Sequence, residues 1–368
     1  MSTLATNAIT DASGGNTTTI NGYTPTVSNM AGRNRIINGD MRISQRNAGA
    51  AVTINSTGTI YTVDRFFAYG QSSDGVYTVE QVTDAPANFT NSTKITVTTA
   101  DTSIGASQLY FFGQVLEGFN VADFGWGTAN AQTVTVSFWV RSSLTETFSG
   151  VLKNDSTSSY PFTYTISTAD TWEYKTITIP GVTSGTWAKD NSAGMRLNWS
   201  LGIGSTYTTT GNAWASGNYF KATGATDVIG TSGATLYITG VQLEAGSVAT
   251  PFEHRQYGTE LHLCKRYFEI WKYESGVGID RYRAGSGWTD SIVFNMEVQK
   301  RAAPTVAIGG SAEIRDGSNA AKTISFADSN SGVIRLGVPA AQAPLTYSVG
   351  TIRFASGVGD FVSMSAEL

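Results

Sequence analysis

The chain has 368 residues, of which 14% are charged, 40% hydrophobic and 11% aromatic, with 40 glycines and a net charge of −4. This composition excludes a disordered chain, because it supplies enough apolar surface for a core and few charges oppose collapse. The weak acidity gives no electrostatic attraction for nucleic acid or anionic lipid. We therefore expect an all-β protein of two or three domains, with a surface made polar by hydroxyl and amide groups.

The first segment, residues 1–33, contains few bulky apolar side chains and cannot form a core of its own. It is either a disordered tail or an extended strap that becomes ordered on another subunit. Its first fifteen residues lack the basic start and apolar centre of a signal peptide. No apolar run in the chain approaches the roughly 20 residues of a membrane helix. We expect synthesis in the cytoplasm.

From residue 35 to about residue 252, alternation and apolar density predict roughly ten short strands, a number typical of an antiparallel sandwich. In the segment 133–140, Val134, Val136 and Phe138 share one face, and Trp139 lies on the other. The clearest predicted strands are Val76–Val82, Lys94–Thr98, Gln108–Leu116, Thr133–Val140, Gly150–Leu152, Phe162–Ile166, Trp172–Ile179, Gly194–Leu201 and Thr235–Val241.

The segment Gly258–Trp271 predicts a helix that Thr259 can cap, because Leu261, Cys264, Phe268 and Trp271 recur at spacings of three and four. This stripe either packs on the neighbouring domain or lines a three-fold axis. A second β region follows, and no repeat of 20–50 residues indicates a solenoid. Its predicted strands are Asp290–Val298, Lys322–Phe326, Gly332–Val338, Tyr347–Phe354 and Phe361–Leu368.

Five segments together resemble one family. Leu236–Arg255, with Gln242-Leu243-Glu244 before Thr250-Pro251-Phe252, resembles the end of the carbohydrate-binding-module-like jelly roll in tail fibres and other virion appendages of tailed bacteriophages. Arg35–Met41 resembles the opening strand of these jelly rolls, and Tyr61–Phe66 resembles their Asp-Arg-aromatic step. The pair SFWVRSSLTETFSGVLKN and DTWEYKTITIPG resembles their central strands, so the resemblance spans roughly residues 35–255.

This resemblance implies a jelly-roll β-sandwich at 34–255, a linking helix at 256–272 and a smaller C-terminal β-sandwich at 273–368. It also implies that residues 1–33 form an extended anchor, with Ile9, Ile20 and Tyr23 attaching the chain to other virion proteins. The expected protein is a non-enzymatic, homotrimeric tail fibre in the virion that contributes to host recognition, with a host-surface glycan as a possible partner. A head fibre or capsid-decorating protein, and a polysaccharide-degrading tail enzyme, are the alternatives.

Few residues in this sequence are candidates for catalysis or metal binding. The single cysteine, Cys264, forbids an internal disulfide, and the two histidines, His254 and His262, disfavour histidine catalysis and histidine-rich metal sites. Asp40 and Glu244 lie near the strands that bind calcium in the related modules. Those modules often carry an acidic residue inside the final strand, and here Thr239 and Gly240 take its place. We therefore predict no metal or other cofactor. The loop aspartates are better explained as turn formers than as a glycosidase pair. They are Asp123, Asp155, Asp170, Asp190 and Asp227.

Glycan binding requires exposed aromatic rings beside amides and hydroxyls. The loop aromatics Trp126, Tyr160, Trp187 and Trp214 are the candidates in the jelly roll, although each could instead cover one end of the sandwich. Trp139, Trp172 and Trp199 lie in predicted strands and are expected in the core. In the C-terminal region, the ring of Tyr282 and that of Trp288 lie in a Gly-rich loop with two arginines, where they either bind a receptor or cap the domain.

Overall fold

The computed structural model describes residues 32–71, 74–155, 157–272, 279–280, 283–285, 288–309, 312–316, 321–323, 325–329, 332–338, 350–354 and 361–368. Ile9, Ile20, Tyr23 and Tyr282 lie outside these ranges. The chain divides into two units, the first ending at Arg255 and the second beginning at Gln256. In the part of the chain that the structure describes, no helix is long and apolar enough to cross a membrane.

The first unit is a β-sandwich. One sheet has the strand order β1-β4-β5-β15-β7-β10 and the other β13-β9-β8-β11-β6-β3-β2. Neighbouring strands in both sheets are antiparallel, and β12 pairs with β14 in parallel. The all-β jelly-roll prediction is confirmed. The strands are β1 (Val52–Ile54), β2 (Gly58–Tyr61), β3 (Phe66–Gly70), β4 (Val76–Val82), β5 (Ser92–Thr99), β6 (Leu109–Glu117), β7 (Val134–Ser142), β8 (Thr147–Lys153), β9 (Ser158–Thr165), β10 (Glu173–Ile179), β11 (Ala193–Ile203), β12 (Thr208–Thr209), β13 (Ala215–Ser216), β14 (Lys221–Ala222) and β15 (Thr235–Ala245).

The core lies between the two sheets, because alternate residues of each strand turn inward. On β7 the inward residues include Val136 and Phe138, and on β11 they include Leu197 and Trp199, all fully buried. The rings of Phe138 and Trp199 meet edge to face across the sandwich at 5.3 Å between centroids. Trp199 is therefore a core residue, as predicted.

The predicted opening strand, Arg35–Met41, is not a regular strand. Asn38 and Met41 have φ angles of 60° and 57°, which a strand does not allow. Asn34 attaches the segment to the last strand instead: its carboxamide donates to the Val241 oxygen at 3.0 Å and accepts from the Leu243 nitrogen at 3.1 Å. The chain therefore enters the sandwich directly beside β15.

The Asp-Arg-aromatic step is a turn between β2 and β3. Arg65 has a φ of 70°, and its buried guanidinium donates to the Val115 oxygen at 2.6 Å. The Asp64 carboxylate accepts from the backbone nitrogen of Gln45 at 2.8 Å. The motif thus connects the turn to β6 and to the segment that precedes β1.

The second unit begins with helix α1 (Tyr257–Lys265), followed by strands. Its sheets have the orders β16-β26-β20, β17-β25-β21-β22 and β18-β19-β24-β23. The strands are β16 (Phe268–Lys272), β17 (Ile279–Asp280), β18 (Arg283–Gly285), β19 (Trp288–Asn295), β20 (Thr305–Gly309), β21 (Ala312–Asp316), β22 (Ala321–Thr323), β23 (Ser325–Ser329), β24 (Val333–Val338), β25 (Gly350–Phe354) and β26 (Phe361–Ser365).

The predicted helix is wrong beyond Lys265, because a turn at residues 266–267 ends it and Phe268–Lys272 form β16, which pairs with β26. Within β16, Glu269 is fully buried and accepts from Lys300 at 2.5 Å and from the Trp271 indole at 2.8 Å. A buried carboxylate needs such partners. In the strand conformation of β16, Glu269 forms this ion pair with Lys300. Helical periodicity cannot reveal it, because the two residues are far apart in the sequence.

Candidate glycan-binding groove

After β15 the chain turns back across the outer face of the six-stranded sheet, and we call residues 246–255 the return segment. Glu244, whose neighbour Leu243 points into the core, projects from this outer face and is fully buried beneath the return segment. Its carboxylate accepts from the Thr250 nitrogen at 2.8 Å, the Thr250 hydroxyl at 2.6 Å and the Gln242 amide at 2.8 Å. Glu244 thus holds the return segment on the sheet.

The other edge of the return segment bonds to residues 32–36, where the described part of the first unit begins. The Glu253 carboxylate accepts from the backbone nitrogens of Gly32 at 2.7 Å and Asn34 at 2.8 Å. The Arg255 guanidinium donates to the carbonyl oxygens of Asn34 and Ile36. The first and last described residues of the first unit therefore lie next to each other. The return segment is held by hydrogen bonds on both of its sides.

A bulge in β15 shapes the sheet surface beside the return segment. The register between β15 and β7 shifts between Thr239 and Gln242, and Gly240 has a φ of +61°. A Cβ atom at Gly240 would lie 2.8 Å from the Phe89 ring and 2.9 Å from the Trp139 ring. Only glycine allows both the conformation and the close approach of two rings.

A groove of about 600 Å³ opens at this bulge. Trp139 of β7 and Tyr174 of β10 are cross-strand partners with ring centroids 5.3 Å apart. Phe89, from the β4–β5 loop, meets the Phe252 ring at 5.1 Å, and His254 extends this wall at 4.9 Å from Phe252. The full lining is Ala87, Asn88, Phe89, Trp139, Tyr174, Ala249, Thr250, Pro251, Phe252 and His254.

The groove combines accessible rings with a few polar groups. Tyr174 is 42% exposed and Trp139 is half-buried. Burial raises the pKa of Tyr174, so the hydroxyl keeps its proton at neutral pH. Asn88 and His254 are exposed at the margins. Flat apolar rings beside a few hydrogen-bonding groups are the features of a small-molecule or sugar site.

The outer face of the seven-stranded sheet is instead covered by the chain itself. Phe220 packs on Phe111 of β6 at 4.9 Å, and its carbonyl oxygen accepts from the Ser200 hydroxyl at 2.5 Å. Lys153 is buried there and donates to the Asn218 carboxamide at 2.6 Å. Burial lowers the pKa of Lys153 to about 8. The groove described above is thus on the more open of the two faces.

The four aromatic residues predicted to bind a ligand do come together, but in a buried cluster that we call the lid. Tyr160, which was predicted in a loop, lies in β9. Centroid separations are 4.8 Å for Trp126–Trp187, 5.3 Å for Trp126–Trp214 and 5.4 Å for Tyr160–Trp214. Trp126, Trp187 and Tyr160 are only 3%, 8% and 6% exposed, and Trp214 is half-buried. The first three therefore cannot present open platforms. Ligand binding by Trp214 and Trp288, which begins β19, stays a prediction.

Sequence reasoning missed the groove because it placed Trp139 in the core. Trp139 lies on the face opposite to Phe138, and the alternation of β7 already contained that information. Trp172, also predicted in the core, is half-buried and meets Tyr237 at 6.0 Å. The approach of Phe89 and Phe252 depends on the bulge and the return segment, for which no local pattern exists.

The carboxylates proposed as catalytic or metal-binding alternatives have other partners. Ion pairs join Asp123 to Arg35 at 2.6 Å, Asp155 to Arg196 at 2.8 Å, Asp227 to Lys221 at 2.5 Å, Asp170 to Arg141 at 3.8 Å and Asp40 to Arg42. Asp190 accepts from the Ser192 nitrogen and hydroxyl. Among the described residues, no three His, Cys, Asp or Glu side chains are grouped as metal ligands.

No family model and no curated protein matches the chain. Among solved structures, the enzymatically active domain of tailspike protein 4 from bacteriophage CBA120 is similar at TM-score 0.30 and 11% identity, over 58% of this chain and 21% of that one. The C-terminal family 22 carbohydrate-binding module of Clostridium thermocellum Xyn10B has TM-score 0.30 and 14% identity, over 51% and 91%. A family 4 module has TM-score 0.28 and 13% identity, over 57% and 98%. These scores are low, and the fold stated above depends on the sheet order of this chain alone.

Proposed function

We propose that the first unit is a non-enzymatic glycan-binding module and that the chain is a structural protein of a tailed-phage virion, most simply a tail fibre. One observation supports the binding role above others: Trp139 and Tyr174 lie accessible on a sheet surface, beside a wall of further rings formed by Phe89 and Phe252. Sugar rings present C–H faces that pack on aromatic rings, and their hydroxyls use nearby amides and phenols.

The virion role is supported by the family resemblance of residues 35–255 and by the arrangement of the chain ends of the first unit. Entrance and exit lie side by side, held by Glu253 and Arg255. A module attached at one place leaves its other surfaces free for a receptor. Residues 1–31 would attach the chain to the particle, and three copies would form the fibre.

The binding role is tested on an array of bacterial surface polysaccharides. We expect Trp139→Ala and Tyr174→Ala each to weaken binding by about tenfold or more, as for aromatic anchors in other interfaces. Phe119→Ala is the matched control, because Phe119 is 60% exposed and does not line the groove. Equal binding by all three variants would contradict the proposal.

The virion role has its own test. Gold-labelled antibody against this protein should mark tails in electron micrographs; head labelling would support the head-fibre alternative, and unlabelled particles would refute both. A truncation that begins at Gly32 keeps the bond from Gly32 to Glu253. It should fold and fail to join particles. Light scattering should give a trimer, and release of reducing sugar from bound polysaccharide would overturn the non-enzymatic assignment.

A further inference from the structure

The walls of the groove contain no permanently charged side chain. All ten lining residues belong to the described part of the chain, and none of them is Asp, Glu, Lys or Arg. The Thr250 hydroxyl donates to the buried Glu244 carboxylate. The side-chain groups that can reach a ligand are the Asn88 carboxamide, the Tyr174 hydroxyl and the His254 imidazole. Each of these can bond a neutral hydroxyl.

The charged side chains on the sheet beside the groove are paired with each other, and Arg33, on the far side of the return segment, donates to the Pro251 carbonyl oxygen at 2.7 Å. Arg141 follows Trp139 on the same face of β7, and its guanidinium lies 2.5 Å from Asp84 and 3.8 Å from Asp170. Two carboxylates therefore surround one cation. On the neighbouring strands, Lys94 pairs with Glu80 at 3.0 Å. The surroundings of the groove are thus balanced or slightly negative.

A ligand carboxylate in this groove would lose water against aromatic rings and meet no cationic side chain among the lining residues. Such burial is strongly unfavourable unless an Arg or Lys supplies charge-assisted hydrogen bonds. The nearby Asp84 and Asp170 would add repulsion. A neutral sugar can leave its hydroxyls at the open side of the groove and pack its C–H face on Trp139 and Tyr174.

We propose that the groove selects uncharged glycans and rejects those that carry uronic or sialic acids at the bound residues. This inference depends on the proposed glycan-binding function and adds the ligand class to it. Because no charge pairing contributes, binding should depend little on ionic strength.

The test uses polysaccharides from bacterial surfaces in two forms, native acidic and carboxyl-reduced, in which each uronic acid becomes the neutral sugar. Binding of both forms is measured at the same pH. We expect carboxyl-reduced forms to bind at least about tenfold more tightly than native ones. Between about 50 and 500 mM salt, we expect the affinity to change less than about twofold.

A gain-of-function variant sharpens the test. His254→Arg keeps a planar group beside Phe252 and adds a cation to the wall. It should raise the ratio of acidic to neutral binding by about fivefold or more. Equal or tighter binding of native acidic forms by the unchanged protein, abolished by Trp139→Ala, would overturn the selectivity and keep the glycan function. If neither form binds, or if binding does not change in Trp139→Ala, both the selectivity and the glycan-binding function are overturned.

Discussion

Two aromatic clusters of the first unit differ in their exposure to solvent. The lid at Trp126, Trp187 and Trp214 is largely buried, whereas the groove at Trp139 and Tyr174 is accessible. In the lid, each indole N–H donates to a carbonyl of the chain: Trp126 to Gln132 at 2.7 Å, Trp187 to Ser184 at 3.2 Å and Trp214 to Pro180 at 2.8 Å. These rings meet nearly edge to face. A ring with its polar atom satisfied inside the chain contributes to stability and has little left for a ligand.

In the groove the rings instead stand on a pleated surface, where alternation forces them outward. Trp139 and Tyr174 are cross-strand partners between Val140–Glu173 and Phe138–Lys175 pairs. Residues 87–89 and the return segment lie beside them. A strand tryptophan on the face opposite the core is therefore a better candidate for binding than a loop tryptophan between glycines.

The largest expected effect is on the lid. Trp126→Ala should lower the free energy of unfolding by about 3–5 kcal/mol, because it empties a buried indole site. Trp139→Ala, at a half-buried surface position, should cost about 1–2 kcal/mol by the smaller area it uncovers. Urea denaturation of the two variants checks the order. A larger loss for Trp139→Ala would show that the groove belongs to the core.

The sequence predicts the sandwich well, because core strands such as β4 and β7 alternate and end at turn residues. It predicts the site less well. Gly240 is visible as a glycine inside a strand, but the Phe89 ring that packs against its bulge lies about 150 residues earlier in the chain. The helix beyond Lys265 was wrong for the same reason, since the Glu269–Lys300 pair is not local.

The second effect in size concerns Gly240. Gly240→Ala should destabilise by about 1–2 kcal/mol from the left-handed backbone alone, and further because its Cβ displaces Phe89 and Trp139. It should also weaken glycan binding. Gly233→Ala is the matched control, with a φ of +78° and no atom within 4 Å of the added Cβ. Thermal unfolding and glycan binding of both variants separate backbone strain from ring displacement. Equal losses of stability and affinity in the two variants would show that the bulge does not shape the groove.

A smaller effect is expected for the half-buried member of the lid. Trp214→Ala removes packing against Trp126 and Tyr160 and one hydrogen bond, so stability should fall by about 1–2 kcal/mol. Glycan affinity should stay within about twofold, since Trp214 does not line the groove. Titration calorimetry of this variant, with its fold checked by circular dichroism, decides the matter. A tenfold loss of affinity would restore the lid as the ligand site.

The smallest effect concerns one hydroxyl of the groove. Tyr174→Phe keeps the ring and removes the phenol, so affinity should fall only about three- to fivefold, the size of one neutral hydrogen bond. Because burial raises the pKa of Tyr174 above its usual value, the phenol remains a donor through mildly alkaline pH. Deprotonation would occur only above that range, and the affinity of the unchanged protein relative to Tyr174→Phe should therefore be constant between about pH 7 and 9.5. A loss of this difference with a midpoint near pH 9 would contradict the assignment, because it would mean that the phenol ionises more easily than an unperturbed tyrosine.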